Sequence, residues 1–226
     1  MAEKYGTIPK KFTKAWWDYF WMYYKGYVFA AAFIIILAVV TIYQAATAPK
    51  YDVSVVYSGG LSFSDEIADS ITDKITPFCE DIDGNGQKSV DFLQLNISES
   101  DVEYSTAMMQ KLQLTIAEDD TYLYILDEAT ASPYLGETKD DAAFVPLSDW
   151  YTGDIEGKKV FSQNGIAYGI DMSECESFKF LSEKYGANLS GNYLFVRYYP
   201  RKDQIKDQLE GYKVEKKMAA RIVSGE

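Results

Sequence analysis

No histidine occurs anywhere in the 226 residues, and that absence removes several chemistries at once. Ser–His–Asp and Cys–His catalysis need an imidazole base, and His-ligated zinc needs its ring nitrogen. Cysteine is nearly missing too: Cys79 and Cys175 are too few for a four-thiolate metal site. They allow one disulfide in an oxidising compartment, at a spacing that matches no small-domain framework. Neither GxGxxG nor GxxxxGK[ST] is present, so a nucleotide pocket is not indicated. There is no internal repeat and no low-complexity tract. No nucleophile–base constellation stands out, and the chain reads as non-catalytic.

Positive charge is also short, and its placement is informative. Residues 1–27 carry five lysines (Lys4, Lys10, Lys11, Lys14, Lys25) against Glu3 and Asp18. Residues 50–226 hold 17 basic and 32 acidic side chains, which repel phosphate backbones and exclude nucleic acid as a partner. Between the two lies GYVFAAAFIIILAVVTIYQAATAP, residues 26–49, without one charged side chain. Its apolar body, Val28–Thr47, has the length of about 20 residues that crosses a bilayer. Apolar residues face all round, which does not suit a soluble amphipathic helix. Small residues Ala45, Ala46, Thr47 and Ala48 offer a cleavage site, so a removed signal peptide is the rival to an uncleaved anchor. The long basic flank and long apolar run favour the anchor. The positive-inside rule then places residues 1–27 in the cytoplasm and residues 50–226 outside the cell membrane, with one crossing.

WWDYFWMYYKGY, residues 16–27, crowds aromatic rings against the start of the span. Trp16, Trp17, Trp21, Tyr24 and Tyr27 are membrane-interface candidates, because indole and phenol groups combine an apolar body with a wet polar tip. So much aromatic area also suits a docking surface for another membrane protein.

The 177 residues 50–226 are enough for one α/β domain. The connection Ala48-Pro49-Lys50 is short, which would hold that domain near the bilayer. YDVSVVY (51–57) is β-rich and runs into Ser58-Gly59-Gly60, read as a turn. Ser62 opens a helical pattern with Ile67, Ile71, Ile75 and Phe78 on one face. SVDFLQLNI (89–97) reads as a strand, and Ser100-Asp101 start a helix with Val102, Met109, Leu112 and Ile116 inward. TYLYIL (121–126) has the continuous apolar character of a strand buried on both sides. This β-α-β-α-β order predicts a three-layer domain with a mostly parallel, mixed sheet. Further strand expectations are AAFVPL (142–147), KKVFSQ (158–163), GIAYGI (165–170) and NYLFVRYY (192–199). Helices are expected over 176–186, ending at Gly186, and over Asp203–Val223 with Ile205, Leu209, Tyr212, Ala219 and Ile222 inward.

DIDGNGQKSVDF, residues 81–92, fits the opening of a calcium loop. Asp81, Asp83 and Asn85 take the first three ligand positions, Gly86 the bend and Gln87 the carbonyl position. The closing position is Phe92 instead of a bidentate glutamate, and Lys88 adds repulsion. Asp, Asn and Gly also make a tight turn unaided, which is the preferred reading. A calcium site completed by a distant carboxylate is the alternative, with affinity at about 10⁻⁴–10⁻³ M. A small ligand would sit at the carboxyl ends of the parallel strands, where Ser58, Gly59, Asn96 and Asp127 are candidates. Asp127 and Glu128 are adjacent and point apart on an extended chain, unlike a hydrolytic carboxylate pair.

FWMYYKGYVF running into one hydrophobic helix resembles the opening of a group of single-pass bacterial envelope proteins. YDVSVVYSGG, the DxDGNG turn, TYLYILDE and AFVPLSDW are similar to a reduced transporter solute-binding domain. The resemblance implies a membrane-anchored binding domain, for a small ligand or a partner protein. The alternative is a structural or assembly subunit of an envelope complex.

Overall fold

The computed structural model describes residues 9–47, 51–98, 100–118, 121–136, 142–198 and 206–226. The lysine at position 4, the connection 48–50, the acids 119–120, the proline at 200 and helix positions 203–205 lie outside the described residues. The chain divides into two compact units, Met1–Lys50 and Tyr51–Glu226.

Among the described residues the first unit holds one helix, α1 (Lys14–Thr47), so the aromatic collar and the apolar span are one continuous rod. Its 34 residues amount to about 51 Å at 1.5 Å per residue. The stretch Lys14–Gln44 is long and apolar enough to cross a membrane. Its large side chains are bare, with Phe33 62% and Ile42 68% exposed. The hydroxyls of Thr41 and Thr47 donate back to the carbonyls of Leu37 and Tyr43, the internal pairing a helix needs where no water is available.

The second unit begins with β1 (Val53–Gly59), α2 (Asp65–Ile75), β2 (Val90–Asn96), α3 (Val102–Glu118) and β3 (Leu123–Asp127). It continues through a short helix α4 (Glu128–Ala131), β4 (Val160–Gln163), β5 (Ile166–Asp171), α5 (Lys179–Tyr185), β6 (Asn192–Val196) and α6 (Lys206–Ser224). The sheet is six-stranded in the order β2-β1-β3-β6-β5-β4. β1 is parallel to both β2 and β3, whereas the β3–β6, β6–β5 and β5–β4 pairs are antiparallel.

The sheet is therefore at least as antiparallel as it is parallel, against the expectation of a mostly parallel one, and the cause is local. Asn164 and Gly165 form a two-residue connection between β4 and β5, both with positive φ (53° and 78°). That pair is what a type I′ hairpin demands, and it makes β4 and β5 antiparallel, while β6 adds the other two antiparallel pairs by entering between β3 and β5.

Alternate residues along each strand serve opposite faces. Tyr57, Ile125 and Leu194 join Ile71, Ile75, Met218 and Ile222 in one core. Val56, Tyr124 and Phe195 join Leu112, Ile116 and Phe144 in the other.

Several local expectations are corrected. Ser58 and Gly59 are strand, not turn, because they pair with Leu95 and Asn96. The cap of α2 is Ser64, whose hydroxyl accepts from the Ile67 N–H, and not Ser62. On α3, Val102 and Met109 are 73% and 47% exposed; the inward stripe is Ser105, Met108, Leu112, Thr115 and Ile116. Segment 142–147 contributes only a bridge between Phe144 and Arg197, because Pro146 has no N–H to extend a ladder. On α6, Ala219 and Ile222 are buried as expected, together with Met218, Val223 and Glu215. Gly186 ends α5 in the left-handed conformation (φ 66°). Cys79 and Cys175 are both buried free thiols. Burial pushes Cys79 up to about 11 and raises Cys175 as well, so neither reads as a reactive nucleophile.

Candidate functional site

Of the predicted strand-end residues, the structure brings Gly59 and Asp127 together, with two residues the sequence did not suggest. A Cβ added at Gly59 would lie 2.9 Å from Tyr57 Oη, 3.0 Å from Asp127 Oδ2 and 3.4 Å from Asn192 Oδ1. These groups already serve one another. Tyr57 Oη accepts from the Leu61 N–H at 2.7 Å and donates to Asn192 Oδ1 at 3.4 Å. Burial raises the Tyr57 phenol above its ordinary 10.0, the Leu61 N–H opposes this, and the Asp127 charge adds to it. The phenol stays protonated as a donor. Asp127 caps α4 by accepting from the Thr130 N–H at 2.8 Å, while Glu128 is exposed.

Ser58 turns away, fully buried, and donates to the Leu95 carbonyl at 3.0 Å. Asn96 stands opposite Gly59 in register, and its Oδ1 is buried without a hydrogen-bond partner. The strand ends are thus crowded by their own side chains around Gly59, with the Asn96 amide oxygen left over. Sequence reasoning missed Asn192 because β6 enters the sheet antiparallel, bringing its first residue beside Asp127.

The acidic loop acquires the distant carboxylate that its sequence lacks. Asp52, Asp81 and Asp83 can place one oxygen each within 4.8 Å of one another. Those oxygens are engaged, however. Asp52 Oδ1 accepts from the N–H of Ile82 (2.8 Å) and Asp83 (3.3 Å), and Oδ2 from the N–H and hydroxyl of Ser89 (2.8 and 3.0 Å). Asp81 accepts from the N–H of Gly84 and Gly86, both at 2.8 Å. Asp83 takes the backbone and side-chain N–H of Asn85, and Asn85 Oδ1 takes the Gln87 N–H. Gly84 and Gly86 supply the positive φ that the bend requires. The residues fit calcium only if the ion shares oxygens that the loop already uses, through their second lone pairs.

Asp52 is the keystone of this turn. Burial pushes its carboxyl up, but the hydrogen bonds from Ile82, Ser89 and Asp83 together hold it below the ordinary 3.8. Its contribution to stability is complete above the unfolded value and is lost as pH falls through the lower folded value. Asp52→Ala is expected to cost about 2 kcal/mol, the loss of hydrogen bonds to a charged acceptor. Urea unfolding of the full chain in detergent checks this, and the cost should shrink in acid. A self-satisfied turn also predicts an unchanged midpoint in chelator; a fall that calcium restores would show an ion sharing the loop.

The membrane-interface candidates form an ordered surface on α1. Trp16, Phe20 and Tyr24, spaced four apart, stack at 5.4 Å with interplanar angles of 20° and 18°. Trp17, Trp21 and Tyr27 are at least half exposed (53%, 50% and 76%). A stacked ladder along one side fits an interfacial belt, and equally a face for a neighbouring helix.

Comparison with protein-family models, curated proteins and solved structures gives no match for this chain.

Proposed function

We propose that the chain is a single-pass membrane protein whose residues 50–226 lie outside the cytoplasm and bind a partner without catalysis. The observation that carries the reading is α1: an apolar rod with bare side chains, joined to a separately compact α/β unit. The lysine-rich start, continued in Lys10, Lys11, Lys14 and Lys25, supports the orientation. Cores on both sides of the sheet support a three-layer domain. The absence of histidine and the capping duty of Asp127 support binding over chemistry.

Between a small ligand and a partner protein, the crowding around Gly59 favours the protein. Tyr57, Asp127 and Asn192 crowd Gly59, at the strand end where a solute-binding likeness would put a ligand. The reading that follows is a structural or assembly subunit of an envelope complex, with the α1 aromatic ladder as one contact surface.

Orientation is the testable core. Glu183→Cys places a thiol at an exposed position of α5, whereas the native cysteines are buried. A membrane-impermeant maleimide is expected to label this variant in intact cells. Labelling that requires permeabilised cells would overturn the assignment.

A further inference from the structure

On the α6 side of the second unit, a groove of about 450 Å³ is lined by Trp150, Lys213, Lys216, Lys217, Ala220 and Arg221. That is within the roughly 300–1,000 Å³ of small-molecule sites. Four of its six lining residues are cationic, on a segment where acids outnumber bases 32 to 17.

The placement follows from the helix. Met218, Ala219, Ile222 and Val223 bury one face of α6, and the basic residues recur at helical spacing along its margin. The ordinary account of such a stripe is a solvated helix face. A solvated face usually mixes signs so that residues four apart attract. Here Lys213–Lys217 and Lys217–Arg221 are like-charged pairs four apart, an arrangement that costs a helix a few tenths of a kcal/mol per pair. Glu80 offsets part of the charge, at 3.7 Å from Lys217 and 4.0 Å from Arg221, and Arg221 also donates to the Phe78 carbonyl.

The wall supplies a second, separate observation. Trp150 is only 5% exposed, and its indole Nε1 is buried without a hydrogen-bond partner. A buried donor left unmade is costly, which marks the Trp150 wall as a place where the packing does not satisfy its own polar groups. The indole body and Ala220 offer apolar surface beside it.

We propose that this groove binds an organic oxyanion of the phosphate class. Its oxygens take charge-assisted hydrogen bonds from the lysines and arginine, and its apolar part lies against Trp150. Such a group is carried by a soluble phosphomonoester or by a phospholipid headgroup. The inference does not depend on which side of the membrane the domain occupies, so its failure would leave the topology intact.

The test uses the full chain in nanodiscs of zwitterionic lipid. Trp16→Phe, Trp17→Phe and Trp21→Phe leave Trp150 as the sole reporter among the four tryptophans. Butyl phosphate is expected to shift Trp150 emission saturably, with inorganic phosphate competing. Lys216→Gln/Lys217→Gln should weaken binding about tenfold or more, the loss of charge-assisted hydrogen bonds. Lys216→Arg/Lys217→Arg should retain binding, and so should Lys184→Gln, which alters an exposed lysine outside the groove. If the shift arises only in discs containing anionic phospholipid and the Gln pair abolishes it, the proposal stands with a headgroup as the source. Emission unmoved by butyl phosphate and by anionic discs, binding unchanged in the Gln pair, or equal weakening by Lys184→Gln would each overturn it.

Discussion

Phe195→Ala is expected to lower the stability of the α/β unit by about 3–5 kcal/mol, the range for emptying a buried aromatic site. Phe195 is fully buried on β6 between β3 and β5, with its ring 5.0 Å from Phe144 and 5.8 Å from Phe161. Its room is made by a glycine. A Cβ at Gly169 would come within 2.7 Å of the Phe195 ring, so Gly169→Ala alone should cost about 1–3 kcal/mol by overpacking. The two changes should not add. With the ring gone, an alanine methyl at position 169 has space, and the double variant should be less damaged than the singles imply. Against a typical total of about 5–15 kcal/mol, Phe195→Ala alone should move the thermal midpoint of the full chain in detergent by roughly 10 °C. Strict additivity would show that the strand glycine and the ring do not meet.

The parallel half of the fold was legible because each element carries its own period. YDVSVVY, SVDFLQLNI and TYLYIL are strands, and the Ile67–Ile71–Ile75 spacing buries α2 as expected. The antiparallel half was half-legible. Asn164-Gly165 is a local hairpin signal, but nothing within reach of β6 in sequence says that it inserts between β3 and β5. On α3, Val102 and Met109 match a helical period as well as Ser105 and Met108 do. Leu112 and Ile116 turn inward as expected, but polarity alone misjudged Val102 and Met109, because the core accepts Ser105, whose hydroxyl is spent on the Ser98 carbonyl.

The candidate sites divide in the same way. The acidic turn was visible in DIDGNG, whereas its partner Asp52 lies about 30 residues earlier and is joined only by the β1–β2 pairing. The strand-end candidates were drawn from parallel-sheet logic, and Asn192 entered through an antiparallel strand. The α6 cations stand close together in the sequence but drew no site expectation, and Trp150 comes from a short turn after Leu147 and meets them only in three dimensions.

The second large effect concerns α1. Ile36→Lys/Val40→Lys puts two charges on one face of the span, near its middle. Each lysine at the centre of a membrane helix costs about 2.5–3.5 kcal/mol, whereas each Leu, Ile, Phe or Val contributes about 0.3–0.6 in favour. The strongly apolar residues between Val28 and Ile42 therefore supply only about 3–6 kcal/mol together, and two lysines cancel that sum. One substitution is survivable, because a single lysine can reach toward the interface along its stem. The double variant should leave the carbonate-washed membrane fraction almost completely, and the single Val40→Lys should largely remain. On the proposed topology, the Glu183→Cys thiol should lose its labelling by impermeant maleimide in cells carrying the double variant, since an uninserted helix would not carry the domain across. If the protein stays membrane-bound with both lysines in place, attachment must come from the aromatic collar lying in the interface, and the span is not what holds it.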